Sequence, residues 1–129
     1  MADAPATPQG DEVTFRILVV DDSPAFRRTV GELLGLRGFE LVTAGDGDEA
    51  LTAASDQCPN AVLVDVNLPG DDGFTVARSL ATVCPRARIV LTSSDLEAVS
   101  TALLNGCGAA AFVPKTDLVT IDLRRLLGG

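Results

Sequence analysis

The sequence predicts an α/β domain in which a parallel sheet of five strands is covered by helices on both faces. Short apolar runs alternate along the chain with segments of helical periodicity, and parallel strands need crossover helices of this kind. The runs at 17–20 and 61–64 are continuously apolar, as expected of strands buried on both faces. With 129 residues, 47% hydrophobic and 22% charged, the chain has the size and composition of one globular domain.

The elements follow one another in a regular order after residues 1–14, which we predict to be a flexible tail before a domain at 15–127. Ser23 and Pro24 supply an N-cap and a first-turn proline for the first helix, which should end near Gly38. The strands are predicted at 15–20, 41–43, 61–64, 89–91 and 110–113. The other helices are predicted at about 48–57, 74–81, 95–106 and 117–127.

Charge and composition exclude several classes of protein. Eighteen acidic residues against 10 Lys and Arg give a net charge of −8, which repels a phosphate backbone and argues against direct binding of nucleic acid. The longest apolar run is about half a dozen residues, whereas a membrane span needs roughly 20. The chain has no histidine, so Ser-His-Asp and Cys-His catalysis are excluded.

The three cysteines predict free thiols. Cys58, Cys84 and Cys107 are an odd number at wide spacing, and no CxxC motif is present. This pattern argues against a zinc site and against a disulfide framework. We therefore expect buried or half-buried thiols in a reducing cytosol, and hence a cytoplasmic protein.

Polar side chains follow four of the predicted strands. Asp21 and Asp22 follow the first strand, Asp65 the third, Thr92 the fourth and Lys115 the fifth. In an open α/β sheet the carboxyl ends of the strands meet at one edge, where such folds bind ligands. We therefore expect three carboxylates, a hydroxyl and an ammonium in one pocket.

Such a pocket favours a divalent cation. Three carboxylates about 5 Å apart repel by roughly 3 kcal/mol per pair at an effective dielectric near 20, so the cluster must protonate or hold a cation. A set of oxygen ligands favours Mg²⁺. The cation would bring the local charge from −2, for three aspartates and Lys115, to about zero and so admit a phosphoryl group.

Each of these residues also has a simpler interpretation. Asp21 and Asp22 could be solvated charges at a helix start, Asp65 a turn residue and Thr92 a strand end. Lys115 could be a surface charge, although it is the only lysine beside nine arginines. Their occurrence together, at four separate strand ends, favours a site.

At these residues the sequence resembles the receiver domain of two-component response regulators, the CheY-like family. The resemblance runs from about Arg16 to Leu127 and implies a doubly wound, flavodoxin-like (βα)₅ fold with strand order 2-1-3-4-5. The segments that carry it are ILVVDDSPAFRRTVGELL (17–34), VLVDVNLPGDDG (62–73), IVLTSS (89–94) and GAAAFVPK (108–115).

The resemblance assigns a phosphoacceptor and a metal site. Asp65 would accept a phosphoryl group from the phosphohistidine of a sensor histidine kinase or a phosphotransfer protein. Mg²⁺, with Mn²⁺ able to substitute, would be bound directly by Asp22, Asp65 and the backbone carbonyl of Asn67. Asp21 would act mostly through water.

The resemblance also assigns a switch. Lys115 would pair with the phosphoryl group, Thr92 would donate its hydroxyl to it, and Phe112 would turn inward in response. The surface formed by the fourth helix, fifth strand and fifth helix would then bind an output protein or a second copy of the chain. A domain of this kind catalyses only its own phosphorylation and dephosphorylation and is not otherwise an enzyme.

The sequence departs from the family pattern at several places. Pro114 precedes Lys115 where the family often has a proline after the lysine, so the family's cis peptide bond cannot be assumed. Leu68 replaces the commonest methionine, which we expect to be neutral. The interval between Thr92 and Lys115 looks one residue longer than in many relatives.

Three alternatives stay open at this point. An aspartyl-phosphate phosphohydrolase would want a second aspartate where Asn67 stands, and a substrate cap for which the chain has no room. A pseudo-receiver would bind partners without phosphorylation. A receiver module could also be excised from a longer DNA-binding regulator, although the native-looking tail favours a stand-alone protein.

Overall fold

The computed structural model describes residues 15–36, 38–68, 70, 72–94, 109–118 and 125. The predicted tail at 1–14, the predicted helix at 95–106 and most of the predicted helix at 117–127 lie outside these residues. No helix among the described residues is long and apolar enough to cross a membrane.

The described chain forms one parallel sheet with helices between its strands. The strands pair in the order β2-β1-β3-β4-β5, which confirms the predicted order 2-1-3-4-5. The strands are β1 (Arg16–Val20), β2 (Glu40–Ala44), β3 (Ala61–Asp65), β4 (Arg88–Ser93) and β5 (Ala111–Pro114). The helices are α1 (Pro24–Gly35), α2 (Gly47–Asp56) and α3 (Gly73–Val83), and a 3₁₀ turn at Lys115–Asp117 follows β5.

The local signals at α1 act as the sequence predicts. The Ser23 side chain accepts a hydrogen bond from the Phe26 N–H at 3.2 Å, and Pro24 is the first helical residue. The helix ends at Gly35, three residues before Gly38, which has φ +86°. This left-handed conformation suits glycine and turns the chain back towards β2.

The sheet buries side chains on both faces, as its continuous apolar strands predict. One core cluster lies between the sheet and helices α2 and α3, and the other lies on the α1 face. Successive strand residues alternate between the two. The first cluster includes Leu18, Val62, Leu91, Ala54 and Leu80, and the second includes Ile17, Leu63, Val90, Val30 and Leu34.

The prediction that the cysteines are free thiols is wrong for two of them. Cys58 and Cys84 form a disulfide bond, with Cα atoms 5.7 Å apart. Cys58 follows the end of α2 and Cys84 caps the end of α3, so the packing of these two helices brings together residues that are 26 positions apart. This separation of Cα atoms is ordinary for a disulfide. Cys107 lies outside the described residues.

Candidate functional site

Three of the predicted acidic residues meet at the carboxyl ends of β1 and β3. Each of Asp21, Asp22 and Asp65 offers a carboxylate oxygen, and these atoms all lie within 4.8 Å of one another. Asp21 and Asp65 are 0% and 5% exposed, whereas Asp22 is exposed. Because β1 and β3 are neighbours in the sheet, their ends place the carboxylates side by side.

In each of the two buried aspartates, one carboxylate oxygen accepts a backbone N–H and the other faces Lys115. Asp21 Oδ1 accepts the Ser23 N–H at 2.9 Å, and Asp65 Oδ1 accepts the Asn67 N–H at 3.0 Å. Each bond reaches two residues ahead and closes a turn that fixes the carboxyl group. The Oδ2 atoms then face Lys115, whose Nζ lies 2.6 Å from Asp21 and 3.2 Å from Asp65.

Burial and ionic contacts shift the pKa values of Asp21 and Lys115. Burial raises the pKa of Asp21, and this effect exceeds the lowering effects of Lys115 and of the Ser23 N–H. Burial also lowers the pKa of Lys115, but its contacts with Asp21 and Asp65 outweigh burial and raise that pKa. Asp21 Oδ2 is fully buried and has no hydrogen bond of favourable geometry, although the ammonium is close enough for an ion pair.

The residues present fit a divalent cation. The donors are three carboxylates, which are the hard oxygen ligands preferred by Mg²⁺ and Ca²⁺. The buried Asp21 Oδ2 has an ion pair with Lys115 but no hydrogen bond of favourable geometry, so it could also accept from a cation or from a water molecule bound to it. Three carboxylates against one ammonium also leave negative charge for a cation to neutralise.

Thr92 lies next to Asp65 on the neighbouring strand β4, and Phe112 lies on β5, the strand after that. Thr92 is 1% exposed and is in register with Asp65, and its carbonyl accepts the Val66 N–H at 2.9 Å. Phe112 pairs with Leu91 and is half-buried against the core cluster under α2 and α3. The structure thus places Thr92 beside Asp65 and Phe112 on the next strand, and their switching roles stay predictions.

The loop after β3 is held by contacts that the sequence analysis missed. The Asn67 side-chain amide donates to Ser93 Oγ at 3.2 Å, which ties this loop to the end of β4. The Gly73 N–H donates to the Val66 carbonyl at 3.1 Å. A Cβ atom on Gly73 would lie 2.3 Å from the Asp65 carbonyl oxygen, so only glycine fits this close approach.

Phe26 was also missed as a neighbour of the site. Its ring centroid lies 4.3 Å from Lys115 Nζ, within the range of a cation–π interaction. The sequence offered one signal, because Phe26 follows the acidic pair within the first turn of α1 and therefore starts at the same edge of the sheet.

Comparison with known proteins identifies the family. The family described as "Response regulator receiver domain" matches residues 17–124. The DNA-binding response regulator MtrA of Mycolicibacterium smegmatis is 36% identical over 105 residues, which cover 81% of this chain and 46% of MtrA. The transcriptional activator protein ExaE of Pseudomonas putida is 33% identical over 118 residues, which cover 88% of this chain and 55% of ExaE. The chain thus spans about half the length of these two relatives.

Solved structures show the same fold. The chemotaxis protein CheY4 of Vibrio cholerae has a TM-score of 0.77 at 26% identity, covering 89% of this chain and all 100% of CheY4. The response regulator TrrA of Thermotoga maritima, solved in complex with Mg(2+)-BeF, has a TM-score of 0.76 at 31% identity, covering 87% and 98% of the two chains. The chain therefore belongs to the response regulator receiver domain family.

Proposed function

We propose that this domain is a phospho-accepting switch in which Asp65 takes a phosphoryl group from the phosphohistidine of a sensor histidine kinase or a phosphotransfer protein. A carboxylate oxygen of Asp65 attacks phosphorus, the phosphorus–nitrogen bond breaks, and the imidazole leaves. The observation that carries the proposal is the Asp65 carboxylate, which lies in a cluster of three and 3.2 Å from Lys115 Nζ. The domain would catalyse only its own phosphorylation and dephosphorylation.

Binding of Mg²⁺ is part of the proposal. Asp22, Asp65 and the backbone carbonyl of Asn67 would bind it directly and Asp21 through water, with Mn²⁺ able to substitute. The bound cation would supply positive charge to the oxygens of the transferring phosphoryl group. Two related structures support binding of a divalent cation, since TrrA was solved with Mg(2+)-BeF and a Burkholderia pseudomallei response regulator with a phosphorylated aspartic acid and a calcium ion. The latter has a TM-score of 0.74 at 27% identity, covering 88% of this chain and 64% of that one.

Lys115 and Thr92 would contact the phosphoryl group once Asp65 carries it. The Lys115 ammonium pairs with Asp21 and Asp65 in the structure, and a phosphoryl group on Asp65 would give it a third anionic partner. Thr92 lies in register with Asp65, and its hydroxyl would donate to the same phosphoryl group. Phe112, on the neighbouring strand, would move inward as Thr92 is drawn towards the phosphate.

The output would follow from that movement. The surface that includes β5, together with the predicted helices at 95–106 and 117–127, would bind an output protein or a second copy of the chain. The output would be a separate protein if the domain works alone, or a further domain if it is part of a longer protein, such as MtrA and ExaE are. The stand-alone context and the cytoplasmic location stay predictions.

Incubation with acetyl phosphate and Mg²⁺ tests the proposal without a kinase. A phosphate-affinity gel should show a shifted band for the wild type, none for Asp65→Asn, and none when the cation is chelated. Asp48→Asn is the matched control, because Asp48 is an exposed carboxylate in the first turn of α2 and is not a member of the cluster. An unshifted wild type, or an undiminished shift for Asp65→Asn, would refute the phosphoacceptor.

A further inference from the structure

The disulfide lies at the end of the sheet opposite to the carboxylate cluster. Cys58 stands in the segment that enters β3, and Cys84 in the segment that enters β4. The bond therefore joins the carboxyl-terminal ends of α2 and α3. It lies at the end of the sheet where the strands begin, which we call the amino edge. The proposed phosphotransfer makes no use of this bond.

The two sulfur-bearing residues differ in their access to solvent. Cys58 is exposed, whereas Cys84 is 2% exposed. Thiol–disulfide exchange needs a thiolate to reach a sulfur atom directly, so access decides which sulfur reacts with an external compound. Cys58 is the reactive sulfur by this criterion, and Cys84 is placed to resolve the mixed disulfide.

The fold also offers partners for both sulfur atoms when the bond is reduced. Cys58 Sγ lies 3.7 Å from the Val83 carbonyl oxygen, and Cys84 Sγ lies 3.7 Å from the Ala54 carbonyl oxygen. A thiol can donate a weak hydrogen bond to either carbonyl. Helices α2 and α3 also pack through Ala54 and Leu80 of one core cluster, so their contact does not depend on the disulfide. Both redox states are therefore compatible with the same fold.

A positively charged cleft lies beside the reactive sulfur. Cys58 and Cys84 open onto a cleft of about 230 Å³ that is also lined by Pro59, Pro85 and Arg86. Arg86 is exposed. In a chain of net charge −8, an exposed cation at this point favours the approach of an anionic reagent to the cleft. Glutathione and its disulfide carry carboxylates that match this charge.

We propose that Cys58 and Cys84 form a reversible redox site that exchanges with glutathione-type disulfides through Cys58, with Arg86 attracting their carboxylates. The Cys58 thiolate attacks one sulfur of the external disulfide, which forms a mixed disulfide and releases one glutathione thiolate. The Cys84 thiolate then attacks the Cys58 sulfur and releases the second. The protein thereby loses two electrons and two protons, and one glutathione disulfide becomes two glutathione molecules.

The position of both cysteines at helix ends favours this oxidant class over peroxides. Cys84 caps the carboxyl end of α3, and Cys58 follows the carboxyl end of α2 by two residues. The partial negative charge at these helix ends opposes the build-up of thiolate charge on which fast reaction with peroxides depends. We expect equilibration with glutathione disulfide over hours, and no faster reaction with hydrogen peroxide.

The first experiment measures the redox state of the full chain in glutathione buffers of graded reduced-to-oxidised ratio. Mass spectrometry should show a Cys58–Cys84 linked peptide whose fraction rises with the oxidised share, with Tm higher by about 10 °C in the linked form. Cys107→Ser should behave like the wild type. Three free thiols at every ratio, a bond that stays closed at every ratio, or a linked peptide that contains Cys107 would each overturn the proposal.

The second experiment tests the role of Arg86. Arg86→Ala should slow oxidation of the reduced chain by glutathione disulfide about threefold, and leave oxidation by the neutral 2-hydroxyethyl disulfide unchanged. Arg86→Lys should restore the rate, and Arg78→Ala, which removes an exposed arginine of α3 outside the cleft, should have no effect. Equal rates of Arg86→Ala and wild type with glutathione disulfide would refute recognition by Arg86.

Discussion

The sheet has a carboxyl edge, where its strands end, and an amino edge, where its strands begin. Buried charges meet at the carboxyl edge, whereas paired backbone groups and a disulfide lie at the amino edge. At the carboxyl edge, Asp21, Asp65 and Lys115 are charged groups in a largely buried cluster, and one carboxylate oxygen has no hydrogen bond of favourable geometry. At the amino edge, the Asn60 N–H donates to the Arg16 carbonyl at 2.8 Å and the Asn60 side chain accepts the Arg16 N–H at 2.7 Å. The disulfide closes the same edge.

The charged side chains proposed to act at the carboxyl edge cost stability, whereas the contacts at the amino edge favour the folded state. Buried charge at one edge raises the free energy of the folded state until a cation binds, because burial disfavours the charged carboxylate. Paired backbone groups and a covalent link at the other edge favour the folded state. Substitutions at the two edges should therefore change stability and phosphorylation in different ways.

Gly73→Ala should have the largest effect on stability. The new Cβ would lie 2.3 Å from the Asp65 carbonyl oxygen and 2.4 Å from Val66 Cα, and neither backbone atom can move aside without shifting the site. We expect a loss of about 4 kcal/mol in the free energy of unfolding, measured by urea titration. Gly35→Ala is the matched control, because nothing lies within 4 Å of its Cβ and it should be neutral or slightly stabilising. Equal losses for the two variants would contradict the close approach.

Cys58→Ser removes the disulfide at the amino edge and should leave phosphorylation at the carboxyl edge unchanged. A link across 26 positions stabilises the oxidised chain by about 3 kcal/mol relative to the reduced one. We expect this loss in urea titration under oxidising conditions and no loss when both proteins are reduced. The acetyl phosphate reaction should keep its wild-type rate, and a rate that falls with the disulfide would show that the two edges are coupled.

Asp21→Asn should separate stability from function at the carboxyl edge. Asparagine retains an Oδ1 acceptor for the Ser23 N–H and removes a buried charge, and Lys115 keeps Asp65 as its partner. Without divalent cations we expect unfolding to cost about 1 kcal/mol more than in the wild type. The increase in Tm that Mg²⁺ gives the wild type should be lost in the variant. A destabilised variant in chelator would contradict this assignment.

The same variant has a defined pH dependence. The folded-state pKa of Asp21 lies above its ordinary value of 3.8, so the folded state binds this proton more tightly than the unfolded chain does. The stability that protonation contributes is complete below 3.8 and is lost as the pH rises through the raised pKa. In urea titrations without divalent cations, the free energy of unfolding of Asp21→Asn should therefore exceed that of the wild type by an amount that grows as the pH rises from 3.8 through the raised pKa. An advantage independent of pH would contradict the raised pKa.

Phe26→Leu should have the smallest effect. It removes the ring that lies 4.3 Å from Lys115 Nζ, a contact worth about 0.5–1 kcal/mol, and should slow acetyl phosphate labelling about threefold. Phe15→Leu is the control, because it removes an aromatic pair with Phe39 at the amino edge. That variant should lose stability alone. Equal labelling rates for the two variants would show that the ring does not position Lys115.

The sequence predicted what local patterns determine. The Ser23 cap, the Pro24 start and the fully buried run of β3 are each encoded within a few neighbouring residues, and the structure agrees with them. The meeting of Asp21 and Asp65 followed from topology, because parallel strands end at one edge.

The sequence could not predict contacts that depend on packing between elements. The disulfide was missed because Cys58 and Cys84 meet only through the ends of α2 and α3, and an odd number of cysteines gives no pairing. The approach of Gly73 to the Asp65 backbone depends on the path of the loop, which no local pattern specifies.

Identification of the phosphorylated residue tests the function of the carboxyl edge most directly. The full chain is incubated with acetyl phosphate and Mg²⁺, treated with borohydride to reduce any acyl phosphate to an alcohol, and mapped by peptide mass spectrometry. We expect homoserine at position 65 in the presence of Mg²⁺ and unmodified Asp65 in chelator. Homoserine at another aspartate, or unmodified Asp65 in both conditions, would contradict a phosphoacceptor at the end of β3.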